Sequence, residues 1–145
     1  MFHKLSDRVL ASAQITCEDV ARAAAAGVTM IVNNRPEGEA EDQTAGAAIA
    51  AAAEARGIAY RAIPVTHAGF SEAQVRAMAE ALAAASGPVL AYCRSGTRST
   101  LLWALAEASG GAEPALLSQQ AAAAGYDTSG IAGLLDMLAA RARQG

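Results

Sequence analysis

The chain has 145 residues, of which 53% are hydrophobic, and a formal net charge of −3. This length predicts one domain, residues 1–145, with a core of its own. The negative charge argues against a nucleic-acid partner, and no apolar run approaches the roughly 18 residues of a membrane span. No secretory leader is visible. Two cysteines do not make a disulfide framework, so we expect a reducing, cytoplasmic setting.

Strands and helices are predicted to alternate along the first two thirds of the chain. Apolar, β-branched runs predict strands at residues 9–13, 28–32, 59–63 and 89–92. Periodicity and capping signals predict helices at residues 17–26, 45–56, 72–86, 99–108, 115–124 and 131–143. Strands end at residue 92 and helices follow alone. This order predicts an α/β fold with a mostly parallel central sheet of about four or five strands, flanked by helices.

Residues 87–100 contain the strongest chemical signal. Cys93 follows an apolar strand directly, and a predicted helix begins at Ser99. The cysteine therefore stands at the carboxyl end of a parallel strand and faces the start of a helix. Open α/β sheets bind their ligands at this edge.

The loop after Cys93 has the composition of an anion-binding site. It reads Arg94, Ser95, Gly96, Thr97 and then Arg98. Gly96 lets the backbone turn several N–H groups inward, next to a helix start that carries partial positive charge. Arg98, and with it Arg94, adds a cationic fork. Such a loop binds an oxyanion and stabilises a thiolate, so Cys93 is predicted to be a nucleophile.

Ser99 completes the predicted catalytic group, since its hydroxyl can donate a hydrogen bond to the Cys93 sulfur. The alternative is a buried, inert cysteine. A core cysteine needs neither the flanking arginines nor Gly96, so the nucleophile is preferred.

Two further loops leave the same edge of the predicted sheet. The first contains Arg35, Glu37 and Glu39, which are either a solvated turn or a rim of the pocket, with the glutamates acting as an acid or bracing an arginine. The second contains His67, which is either solvated or a pocket residue. Cys17 is interpreted as incidental, with a resolving-thiol role as the alternative. The His and Cys residues lack metal-ligand spacing, so neither a metal nor another cofactor is predicted.

Several blocks of the sequence together resemble a bacterial family. The blocks are Ala13-Gln14-Ile15, Asn33-Asn34-Arg35-Pro36, Ile63-Pro64-Val65 and residues 87–99 with Trp103. They are similar to the phosphatase-like domain of beta-lactamase hydrolase-like proteins, also called DUF442 or a sulfur transferase family. The resemblance covers roughly residues 1–110.

The resemblance implies a dual-specificity-phosphatase-like fold and a role in sulfide or persulfide metabolism. Some family members are fused to a persulfide dioxygenase, so such an enzyme is an expected partner. The segment from Cys93 to Ser99 also resembles two active-site loops. Its Cys-x4-Arg spacing is rhodanese-like, whereas phosphatases have Cys-x5-Arg followed by Ser or Thr, usually with a His where this chain has Tyr92.

Two reactions remain open from the sequence, and sulfur transfer is preferred. In the resembling families the shorter loop accompanies sulfur transfer, with small sulfur donors and acceptor thiols as substrates. A phosphatase would need a general acid, and no Asp lies between Asp42 and Cys93. The alternative is a tyrosine or dual-specificity type phosphatase that hydrolyses a phosphoester through Cys93. A non-catalytic module that binds an anion or persulfide is the third hypothesis.

Overall fold

The computed structural model describes residues 1–144; position 145, included in the predicted domain, lies outside this range. Five strands form one sheet in the order β1-β2-β5-β3-β4. β1 is antiparallel to β2, and the other neighbours are parallel. The strands are β1 Phe2–Lys4, β2 Val9–Ser12, β3 Met30–Asn33, β4 Ala59–Ala62 and β5 Val89–Tyr92.

Six α-helices surround the sheet, and a short 3-10 turn, Ser129–Ile131, precedes the last of them. The helices are α1 Cys17–Ala25, α2 Gly46–Ala55, α3 Glu72–Ala84, α4 Thr97–Ser109, α5 Pro114–Ala123 and α6 Ala132–Gln144. The sequence predicts capping boxes at Thr16 with Asp19 and at Ser71 with Gln74, and both are present. The predicted α/β fold with its mostly parallel sheet is therefore confirmed.

Alternating side chains of the strands supply two cores. Val32 and Ala91 point into the core shared with α3, α4, α5 and α6. Ile31 and Leu90 point to the other face, into the core shared with α1 and α2. Trp103, in α4, is 1% exposed and packs in the first core.

Three local predictions need correction. β1 was not predicted, because a three-residue edge strand with His3 and Lys4 gives no apolar run. α4 begins at Thr97 rather than Ser99, since Gly96 takes the left-handed conformation that opens the helix. The sequence also predicts that Thr128 or Ser129 caps the last helix; the Thr128 side chain forms no cap and shares a 2.7 Å hydrogen bond with the Ser118 hydroxyl.

The sheet order brings three strand ends together. β5 lies between β2 and β3, and the paired register sets Ser12, Asn33 and Tyr92 side by side at the carboxyl edge. The loops that follow these three strands therefore surround Cys93. Within residues 1–144, no helix has both the length and the apolar character needed to cross a membrane.

Candidate active site

Cys93 lies directly after the central strand of the sheet. Cys93 is fully buried, and its backbone N–H donates to the carbonyl of Ser12 on β2 at 3.3 Å. The Gly96 N–H points at the Cys93 sulfur, with 3.1 Å between nitrogen and sulfur. The loop thus directs a backbone donor at the sulfur.

Gly96 makes this turn possible. Its φ of +95° is left-handed, a conformation that costs glycine little and other residues more. Its carbonyl then accepts the Thr100 N–H at 3.0 Å, the first hydrogen bond of α4. The start of α4, with its partial positive charge, therefore adjoins the cysteine loop.

Arg98 lies in the first turn of α4, and its side chain is 13% exposed. Its Nη1 and Nη2 each donate to one carboxylate oxygen of Glu39, both at 2.8 Å. Nη1 also donates to the Val65 carbonyl at 2.7 Å. Three of the five guanidinium N–H groups are thus used. Among residues 1–144 neither the Nε–H nor the second Nη2–H donates to an oxygen, and in a planar guanidinium these two N–H bonds are parallel.

Glu39 joins two arginines. Its Oε1 also accepts from Nε of Arg35 at 2.9 Å, and Arg35 is 5% exposed. Nη1 of Arg35 donates to the Gln14 side chain at 3.0 Å, and this bond connects the loop after β2 to the loop after β3. Two cations and one anion leave this cluster with a net charge of about +1, which suits an anionic substrate.

The hydrogen bonds from the two arginines also determine the protonation state of Glu39. Hydrogen bonds from Arg98, then from Arg35, lower the pKa of Glu39 to about 2, against the opposing effect of burial. Glu39 is therefore ionised at neutral pH and is not a proton donor. The bond to Glu39 is also the main cause that raises the pKa of Arg98, and Cys93 adds to the rise. The guanidinium and the sulfur are thus close enough to interact.

Glu37 belongs to the start of α2. Its Oε1 accepts the Gly46 N–H at 2.9 Å. The residue before Gly46, Ala45, offers no side-chain cap, so Glu37 satisfies a donor that the helix end leaves open. Glu37 is therefore a structural residue in this arrangement.

The remaining predicted residues of the loop differ in burial and in the hydrogen bonds that they form. Ser99 is fully buried, and its hydroxyl has no hydrogen-bond partner among residues 1–144, so the expected bond to Cys93 is not formed. The loop uses the Gly96 N–H instead. Ser95 and Thr97 are exposed, and their hydroxyls bond to each other at 3.0 Å.

Arg94 and His67 are exposed. No hydrogen bond of either side chain to residues 1–144 is formed. Arg94 contributes its carbonyl, which accepts the Gln14 N–H at 3.2 Å. Cys17 is also exposed, in the first turn of α1.

Sequence reasoning missed three contributors to the site. Val65 acts through its carbonyl, which no side-chain pattern indicates. Gln14 orients Arg35, and Tyr126 packs against Gly96 from beyond α5. Gln14 and Val65 gave a signal only as members of the blocks of family resemblance, and Tyr126 gave none. Within residues 1–144 no three His, Cys, Asp or Glu residues converge as metal ligands.

The geometry supports nucleophilic attack by Cys93 on an anionic substrate. A backbone donor faces the sulfur, and two parallel N–H groups of Arg98 remain open to oxyanion oxygens. Neither Glu39, which the two arginines hold ionised, nor Glu37, which accepts the Gly46 N–H, is placed as a proton donor.

Comparison with known proteins identifies the family of the chain. Residues 2–112 match the family described as "Beta-lactamase hydrolase-like protein, phosphatase-like domain". A Beta-lactamase hydrolase-like protein of Xylella fastidiosa (strain Temecula1 / ATCC 700964) is 37% identical over 103 residues, which are 71% of this chain. The matched part is 24% of that relative's length, so the chain spans about a quarter of it.

Solved structures show the same architecture. A protein of Neisseria meningitidis z2491, provisionally assigned as a phosphatase, superposes with a TM-score of 0.82 and 33% identity, over 94% of this chain and 96% of that one. PTPMT1 superposes with a TM-score of 0.76 at 15% identity, over 100% of both chains. TpbA of P. aeruginosa, in complex with pTyr, gives 0.66 at 21%, over 99% of this chain and 91% of that one.

These likenesses confirm the predicted cysteine-phosphatase architecture. They also favour the phosphatase alternative over the preferred sulfur-transfer hypothesis. The family match covers more than three quarters of the sequence. The chain therefore belongs to the family of phosphatase-like domains of beta-lactamase hydrolase-like proteins.

Proposed function

We propose that the chain is a cysteine-dependent phosphatase for phosphate monoesters with good leaving groups, of which aryl phosphates are the model class. The observation that carries the proposal is the geometry of Arg98. Glu39 and the Val65 carbonyl hold one edge of its guanidinium, while Nε–H and one Nη2–H remain open on the other. Two parallel donors beside a nucleophilic sulfur fit two oxygens of a phosphoryl group.

The reaction then has two steps. The Cys93 thiolate attacks phosphorus in line, the S–P bond forms, and the bond from phosphorus to the leaving oxygen breaks. Water next attacks phosphorus, the S–P bond breaks, and inorganic phosphate leaves with the thiolate restored. Arg98 and the Gly96 N–H stabilise the negative charge on the transferred oxygens and on sulfur.

The proposed leaving group follows from Glu37 and Glu39, neither of which is free to protonate it. Glu39 is held ionised by Arg98 and Arg35, and Glu37 is engaged at Gly46. A missing general acid costs roughly 10²–10⁴-fold. That cost is small for a phenolate, which leaves unaided, and large for an alkoxide. The pTyr bound by TpbA is an aryl phosphate, which supports this substrate class.

Sulfur transfer is the second candidate, and the short loop favours it. Four residues separate Cys93 from Arg98, and the Gly96 N–H donates to the sulfur. Cys93 would attack the sulfane sulfur of thiosulfate and release sulfite, and an acceptor thiolate would then take the outer sulfur. A persulfide needs fewer donors than a phosphoryl group, and this route needs no acid. The expected persulfide dioxygenase partner stays a prediction.

One pair of assays separates the candidates. Purified protein is given para-nitrophenyl phosphate and, separately, glycerol phosphate, with Cys93→Ser as the control. The proposal expects aryl turnover that Cys93→Ser abolishes, and turnover of the alkyl ester at least about 100-fold slower. The same protein is weighed intact after incubation with thiosulfate or glutathione persulfide. A gain of one sulfur on Cys93, without aryl turnover, would replace the proposal with sulfur transfer.

A further inference from the structure

The segment beyond the family match reaches the back of the Cys93 loop. Residues 113–144 follow the matched region and contain Tyr126, in the turn after α5. This turn is fixed by Gly125, whose φ is +97°, and by the Tyr126 N–H, which donates to the Ala121 carbonyl at 2.9 Å. The Tyr126 ring also packs against the first core.

Three contacts place the Tyr126 side chain against the loop. Its hydroxyl donates to the Ser95 carbonyl at 3.3 Å. A Cβ added to Gly96 would collide with this hydroxyl and lie 3.0 Å from the ring carbon that carries it. The ring meets His3 of β1 edge-on, with centroids 5.7 Å apart and an angle of 82° between planes.

The Ser95 carbonyl and the Gly96 N–H belong to one peptide unit. That unit is planar and trans, so its C=O and N–H point in opposite directions. Tyr126 holds the oxygen end, and the Cys93 sulfur accepts from the hydrogen end at 3.1 Å. Fixing one end therefore fixes the direction of the other. A hydrogen bond to the carbonyl also polarises the peptide and strengthens its N–H as a donor.

We propose that Tyr126 is a positioning residue for the Cys93 nucleophile. By donating to the Ser95 carbonyl and filling the space beside Gly96, it keeps the Gly96 N–H directed at the sulfur. Tyr126 acts from outside the loop, because a loop that turns an N–H group toward the sulfur turns the carbonyl of that peptide away from it. Within residues 1–144 the Tyr126 hydroxyl donates to this carbonyl and forms no hydrogen bond with the Cys93 sulfur.

Tyr126→Phe tests the hydroxyl while retaining the ring, and Tyr60→Phe is the matched control. Tyr60 is also half-buried, and its hydroxyl accepts a hydrogen bond from Asn33 at 3.0 Å, on the far side of the sheet from Tyr126. Both variants are made with Cys17→Ser, so that iodoacetamide reports on Cys93 alone. The alkylation rate is measured at pH 6, and kcat and KM are measured with para-nitrophenyl phosphate.

Tyr126→Phe is expected to lower the alkylation rate and kcat by about 2-fold to 10-fold, the effect of losing one hydrogen bond. KM should stay within about two-fold, because substrate contacts are unchanged. Tyr60→Phe should leave all three quantities unchanged. Tyr126→Ala, which also empties the space beside Gly96, should lower the alkylation rate further.

Two results would overturn the proposal. One is an alkylation rate in Tyr126→Phe equal to that of the parent; the other is an equal loss in Tyr60→Phe, which would indicate a general structural effect. Only the kinetic readout rests on the proposed phosphatase function. If the parent protein fails to turn over the phosphoester, that function fails, while the alkylation readout still decides the role of Tyr126.

Discussion

At the scale of single residues, the site depends on one carboxylate shared by two arginines. Glu39 holds one edge of the Arg98 guanidinium and at the same time anchors Arg35. The sequence predicted both arginines as site residues and left Glu39 open between an acid and a brace. It could not decide, because 59 positions separate Glu39 from Arg98 and no local pattern spans them.

Glu39→Gln should lower stability in a pH-dependent way. The bonds to Arg98 and Arg35 depress the pKa of Glu39 from 4.5 to about 2, so the folded state favours the ionised form. The stabilisation is complete above pH 4.5 and is lost as pH falls toward 2. At pH 7 we expect a loss of about 1–3 kcal/mol, typical of hydrogen bonds to charged groups.

Urea unfolding of both proteins between pH 7 and pH 2.5 measures this difference. The gap between the parent and Glu39→Gln should narrow below pH 4.5. Glu41→Gln is the control, since Glu41 is exposed and forms no ion pair with residues 1–144. A gap that stays constant across the range would contradict the assignment.

Arg98→Lys should reduce turnover although it retains the positive charge. Lysine has no planar fork, so it cannot hold Glu39 and two phosphoryl oxygens at once. We expect kcat to fall roughly 10²–10³-fold, the usual effect of removing a transition-state donor. Steady-state kinetics with para-nitrophenyl phosphate provide the measurement, and Arg94→Lys, at an exposed position, is the control. Unchanged turnover in Arg98→Lys would show that Arg98 acts only through its charge.

At the scale of elements, the loop from Cys93 to Thr97 could be predicted and its surroundings could not. The residues of this loop are consecutive in the sequence, and Gly96 among them indicated a turn. The capping boxes of α1 and α3 were predictable for the same reason, because each uses residues three positions apart. Edge strand β1 exists through its pairing with β2, so its three residues alone carry no signal.

Gly96→Ala should destabilise the protein more than Gly57→Ala. Both glycines have positive φ, +95° and +71°, so both substitutions carry a backbone cost of about 1 kcal/mol. At Gly57 an added Cβ meets nothing within 4 Å, whereas at Gly96 it strikes Tyr126. We expect an additional 1–2 kcal/mol or so at Gly96, in the range of overpacking.

Urea unfolding of the two variants isolates the steric part, because the backbone part is shared. Gly96→Ala should also slow alkylation of Cys93, since the Gly96 N–H has to shift away from the sulfur. Equal destabilisation by the two substitutions would mean that Tyr126 moves aside at no cost.

At the scale of the whole molecule, the strand order creates the site. β5 is central, and the ends of β2 and β3 deliver Gln14 and Arg35 to either side of Cys93. A run of alternating strands and helices predicts a parallel sheet, but not which strands are neighbours. Strand order depends on long-range packing. For this reason the sequence could place Arg35, Glu39 and Arg98 only on separate loops, and not in one cluster.

The last helix ties the segment beyond the family match to the rest of the fold. Leu135 of α6 is 1% exposed and shares the first core with Leu102 and Trp103 of α4, the helix that begins at the cysteine loop. Leu135→Ala should therefore cost about 2–5 kcal/mol, through lost burial and the cavity that remains. Met137, on the same helix, is 45% exposed, and Met137→Ala should cost less than about 1 kcal/mol.

Urea unfolding can be followed in one experiment by Trp103 fluorescence and by the accessibility of Cys93 to a thiol reagent. If α6 belongs to the same cooperative unit as the site, both signals change together, and Leu135→Ala moves both midpoints equally. Separate transitions, or a shift in one signal alone, would mean that α6 folds onto α4 without supporting the cysteine loop. Joint transitions would explain how Tyr126, which lies between α5 and α6, can position a nucleophile that belongs to the other end of α4.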